Sequence, residues 1–139
     1  MNRQVQAYRQ VKAQGWSRVD MVLALYDRTI ASIDEGLERI RLGQPEALSP
    51  IRARVQRLLL GLIEGMDIAG DETSRQMARV LVFAMQRMAD STELSWSDAR
   101  RVIVPLREGF AGIREEAIRG EQQGTIPPLD WRKPVACSA

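Results

Sequence analysis

At 139 residues, the chain fits a single domain and is long enough to bury a hydrophobic core. Apolar residues make up 45% and charged residues 27%, while aromatics reach only 5%, a mix rich in Leu, Ala, Arg, Met and Glu that favours helix over sheet. The formal charge of +2 arises from 20 basic against 18 acidic residues, both spread along the chain, which argues against a nucleic-acid-binding face.

Histidine is absent, and with it go the usual triad base and the commonest metal ligand. The sole cysteine, Cys137, has neither a disulfide partner nor fellow ligands for zinc. These absences predict no catalysis, no metal and no cofactor. No stretch reaches the roughly 18 apolar residues of a membrane span. The polar start from Met1 to Tyr8 lacks the apolar run of a signal peptide. The expectation is a cytosolic protein without membrane insertion.

Residues 1–16 are polar, with apolar residues scattered at Val5, Tyr8, Val11 and Trp16, and read as an N-terminal arm. From Ser17 to Leu42, Val19, Val22, Tyr26, Ile30, Ile33, Leu37 and Ile40 recur at helical steps of three and four. Ser17 and Asp20 form a capping-box pattern, and Gly43 and Pro45 stop the helix. A second helix is predicted from Pro45 or Ser49-Pro50 to about Ile68, lined by Ile51, Val55, Leu58, Leu59, Leu62 and Met66.

Thr73 with Gln76 suggests a cap for a third helix over residues 72–91, which carries Met77, Val80, Leu81, Ala84 and Met88. The fourth is predicted to begin after Ser95 or Ser97, to kink at Pro105 and to end at Gly120 and Gly124. Residues 121–139, with Pro127, Pro128 and Pro134, read as a flexible tail. Short connections between long helices then predict an all-α, antiparallel up-and-down four-helix bundle over residues 17–120.

The helices carry more apolar residues than one buried face can use. Met21 and Leu25 fall off the apolar stripe of the first helix, and Val82 and Phe83 point away from the main face of the third. Either the third helix is central, or this surplus meets a partner helix, with methionines lending the surface plasticity. Asp27, inside an apolar stretch, reads first as a local hydrogen bond or solvated edge, since no catalytic partner accompanies it.

These residues resemble the flagellin-specific flagellar export chaperones, the FliS family. Tyr8 matches the arm tyrosine, Ser17 the cap, and Leu25-Tyr26-Asp27 the start of the Leu-Tyr-Asp/Asn-Gly signature. Gln56, Leu58, Leu59, Leu62, Met66 and Asp67 match the run in the second helix. Met77, Val80, Phe83, Arg87 and Met88 fit the third, and Arg107-Glu108-Gly109-Phe110 fits the Arg-Asp-x-Trp of the last. Arg18, Arg28, Gly61, Leu81 and Phe110 depart from the pattern.

The resemblance implies a cytosolic secretion chaperone that clasps the C-terminal segment of flagellin, blocking premature polymerisation and degradation before export. On that basis Tyr8 and Val11 belong to a movable arm, and Met21, Leu25, Val82 and Phe83 are expected client contacts outside the core. Tyr26 and Asp27 carry over from the signature, as contacts or as structural residues. Other export or regulatory proteins and a second copy of the chain stay open as partners. The rival readings are a helical adaptor for another secretion client and a basic nucleic-acid binder.

Overall fold

Ser17 opens the first helix. Its hydroxyl accepts from the Asp20 amide at 3.3 Å, and the Asp20 carboxylate accepts from the Ser17 amide at 3.5 Å, the reciprocal cap that the sequence predicts. The structure, a computed structural model, describes residues 17–66 and 68–126. These form α1 (Arg18–Arg41), a 3₁₀ turn (Pro45–Ala47), α2 (Leu48–Glu64), α3 (Glu72–Arg87), α4 (Glu93–Gly112) and α5 (Arg114–Gln123). The described residues are all-helical and arranged as a bundle, without a strand. Residues 1–16, Asp67 and residues 127–139, and with them Tyr8, Val11 and Cys137, lie outside the described residues.

The periodicity predicts four helices, and the described chain has five α-helices. The difference arises at Ile113, where φ of −105° and ψ of 9° interrupt the helix and separate α4 from α5. Pro105 lies inside α4, which continues past it to Gly112. The boundary expected at residue 120 falls within α5, whose end is set by Gly124 at φ +81°.

Four more ends differ from the sequence reading, among them the close of the third helix, which falls at Arg87 and not at residue 91. Asp71, not Thr73, caps α3: its carboxylate accepts from the Thr73 amide at 3.1 Å and from the Ser74 hydroxyl at 2.9 Å. Thr92 caps α4 by accepting from the Ser95 amide at 3.1 Å, so Ser95 and Ser97 fall inside the helix. The second helix stops at Glu64, short of Ile68, because Gly65 takes its C-cap.

α1 packs against α2 on one side and α4 on the other, while α3 leans chiefly on α4. The core collects Tyr26, Ile33, Leu37, Leu48, Val55, Leu59, Leu81, Met88, Trp96 and Ile103 from the first four helices. Trp96 is its largest member and is fully enclosed. Its indole lies against Gly36 so closely that a Cβ there would fall 2.1 Å from the ring. The indole N–H donates to the Asp90 carbonyl at 2.9 Å, which satisfies the one polar group the burial brings in. Fully burying a large apolar side chain contributes roughly 1.5–3 kcal/mol, so this contact anchors α4 on α1.

Candidate client-binding surface

α2 and α3 approach each other less closely than α1 and α2 or α3 and α4. Arg52 bridges them near one end. It donates to the Met88 carbonyl at 2.7 Å and the Ser91 hydroxyl at 3.0 Å, and its guanidinium carbon lies 5.8 Å from the Trp96 ring centroid. Away from this bridge, large apolar side chains are left in solvent. Leu60 on α2, Ile68 in the following turn, and Val82 and Phe83 on α3 are each 38–48% exposed.

Val82, Ala78, Ile68 and the stems of Arg75 and Arg79 line an open hollow of about 320 Å³. Arg75 is held in place there, donating to the Ile68 carbonyl at 3.1 Å. Phe83 follows Val82 by about 100° around the helix. It therefore sits on the flank of Arg87, four residues on, whose guanidinium donates to Asp98 of α4 at 2.9 Å. The two residues thus open different sides of α3, and the surplus seen in the sequence is real surface at both.

The candidates on α1 divide differently. Met21 is half-buried, and Leu25 is half-buried and packed against the core. Tyr26 is wholly enclosed, its ring 5.7 Å from that of Phe110 and tilted by 30°. Its side chain therefore offers no surface to a partner, and the signature tyrosine is a core residue. Burial pushes its phenol up to about 12, and its hydroxyl has no hydrogen-bond partner among the described residues.

Asp27 is exposed but engaged, accepting from the Arg107 guanidinium at 2.8 Å. That hydrogen bond, with the attraction behind it, holds the guanidinium above the usual arginine range. Two blocks far apart in sequence, Leu25-Tyr26-Asp27 and Arg107 to Phe110, therefore meet on the α1–α4 seam. Nothing in the spacing of either block alone signals that pairing. The sequence reading also passes over Gly36, Thr29 and Ser32, all buried on α1, because small and polar residues do not register as an apolar stripe.

Among the described residues no group of three or more Cys, Asp and Glu could hold a metal ion, and no helix is long and apolar enough to cross a membrane. What the geometry supplies is a helical scaffold with exposed apolar side chains on α2, on the turn after it and on two sides of α3. The chain matches the family described as Flagellar protein FliS over residues 1–117 and belongs to it. That is a family of flagellar export chaperones, so the protein is a chaperone and not an enzyme. No curated protein and no solved structure matches the chain.

Proposed function

We propose that the chain binds the C-terminal segment of flagellin in the cytosol and keeps it from polymerising before export. The bundle, its first four helices running up and down, would present the outer surface of α3, with the adjoining part of α2, to the client. The observation that carries this reading is the exposure of Leu60 on α2, Ile68 in the turn, and Val82 and Phe83 on two adjoining sides of α3 in a member of this family. Such a surface suits an amphipathic helix laid into a groove. A client segment that folds as it binds offsets its ordering entropy by burying apolar area.

Val82 and Phe83 are then direct contacts, and Met21 and Leu25 contribute the half-buried part of their surface. Tyr8 and Val11 belong to an arm that the client displaces or joins. Tyr26 and Asp27 act through the α1–α4 seam rather than by touch. The test is calorimetric titration with a flagellin C-terminal peptide. Val82→Asp and Phe83→Asp should each weaken binding by about 2 kcal/mol or more, the usual cost at an interface anchor. Wild-type affinity should change little between low and moderate salt. Unchanged affinity in both variants would remove the exposed surface of α3 from the site, and steep loss with salt would point to charge pairing in place of apolar contact.

A further inference from the structure

α5 contributes little to the core. Gly120 is its only buried residue, with Ala117 and Ile118 half-buried, and no side chain caps its start. A helix of ten residues is marginal by itself, and its junction at Ile113 follows Gly109 and Gly112, both with open space beside them. Yet this weakly held element makes specific contacts with one place, the first turn of α1. The Glu121 carboxylate accepts from the Arg18 amide at 2.8 Å, satisfying a donor that the helix start leaves free. Arg114 donates to both oxygens of Asp20, at 2.7 and 3.2 Å, and that hydrogen bond holds the Asp20 carboxyl below its ordinary range.

The chain after α5 locks this position. Gly124 turns left-handed, and the amides of Thr125 and Ile126 donate to the Gly120 carbonyl at 2.9 and 3.1 Å. Ile126 folds back over Gly120, where a Cβ would meet it at 2.8 Å. The family match ends at residue 117, inside α5, so Glu121, Gly124 and Ile126 all lie beyond it.

We propose that α5 and the 124–126 fold-back form a detachable clasp on the first turn of α1, swinging at Ile113. Closed, it holds the first turn of α1 through Glu121 on the Arg18 amide and Arg114 on Asp20. Open, it lets that turn fray while α1 to α4 stay packed, as expected of an element with few buried contacts.

Hydrogen exchange on the full chain tests this, using Glu121→Ala, Gly120→Val to unseat Ile126, and Glu121→Gln, which keeps a carbonyl acceptor. The first two should speed exchange at the amides of residues 18–21 and throughout α5 by about tenfold. Exchange in the central turns of α1 to α4 should not change, and Glu121→Gln should restore most of the protection. Wild-type exchange at residues 18–21 in both disruptive variants would overturn the clasp. So would faster exchange across all five helices, because α5 would then be an integral layer of the bundle.

Discussion

Asp27 on α1 and Arg107 on α4 are joined at 2.8 Å, and they are one rung of a regular ladder. Asp20 pairs with Arg114, Asp34 with Arg100 and Arg41 with Glu93, at 2.7, 2.7 and 3.0 Å. Each rung lies seven residues from the next on both sides, rising on one and falling on the other. Two helical turns separate successive rungs, so all of them line a single seam between antiparallel helices, as in a coiled coil. The rung at Arg114 keeps this spacing although Ile113 has already broken the helix. The rung at Arg41 and Glu93 has its charges reversed relative to the others, and slipping the seam by seven residues would bring like charges together there.

The ladder should therefore specify register more than it stabilises. Exposed pairs of this kind contribute about 0.2–1 kcal/mol each and fade with salt. A double-mutant cycle on Asp34 and Arg100, read by urea denaturation at low and high salt, should give a coupling of about 0.5 kcal/mol that falls with added salt. Exchanging the two, Asp34→Arg with Arg100→Asp, should recover most of the stability lost by either change alone. If the exchanged variant stays as unstable as the single ones, the pair is a crossing of independent side chains.

Gly36 offers a sharper test of the packing. Gly→Ala in an exposed helix position gains up to about 1 kcal/mol from propensity, and Gly61 and Gly109, with nothing within 4 Å of an added Cβ, should show that gain in thermal melts. At Gly36 the new methyl would collide with three atoms of the enclosed Trp96 ring at 2.1–2.9 Å. Overpacking of this kind costs about 1–3 kcal/mol, enough to outweigh the propensity. Gly36→Ala should lower the melting temperature while Gly61→Ala and Gly109→Ala raise it. A stabilised Gly36→Ala would mean that the indole can retreat, so that the close approach is not required.

The periodic part of the fold was legible. Ser17, Val19, Tyr26, Ile33 and Leu37 lie where a helix with a 3.6-residue period puts them, because an amphipathic stripe is a local property of the chain. The helix starts at Asp71 and Thr92 were less so: several Ser, Thr and Asp residues stand near each, and tertiary packing chooses among equivalent caps. The Trp96–Gly36 fit and the Asp27–Arg107 rung were not legible at all, since each joins residues 60 and 80 positions apart that carry no mark of one another. At the candidate surface, Val82 and Phe83 could be read as surplus because two neighbours on a helix cannot share one face. Leu25 misled for the opposite reason. α1 is flanked by α2 and α4, so a residue off its main stripe still finds the core.

That difference separates two substitutions which the sequence alone treats alike. Phe83, 43% exposed, should tolerate Asp with a stability change within about 0.5 kcal/mol. Leu25 packs against the core, and Leu25→Asp forces a carboxylate into a half-buried apolar site, with an expected loss of about 1–3 kcal/mol. Urea denaturation of the two variants decides. Equal destabilisation would place Phe83 in the core as well and would leave its effect on client affinity uninterpretable as contact.

Tyr26 makes the protein sensitive to alkali. Its phenol titrates at about 12 in the folded chain against an ordinary 10.0, because burial disfavours the phenolate. Below pH 10 the group is neutral in both states and adds no pH dependence. Above that value the unfolded chain loses the proton and the folded chain keeps it, so stability falls as pH rises from 10 towards 12, by roughly 2–3 kcal/mol over the interval. Tyr26→Phe removes the effect. It also removes a buried hydroxyl without a partner among the described residues, and a lone buried polar group costs about 1–3 kcal/mol, so at pH 7 the variant should be as stable as the parent or more so. Urea midpoints at pH 7, 10 and 11 for both proteins check this, together with the phenolate absorbance, in which one of the two tyrosines should titrate late and vanish in the variant. If Tyr26→Phe is clearly less stable at pH 7, the hydroxyl has a partner in the folded protein. If it loses stability in alkali as steeply as the parent, the sensitivity lies in another group.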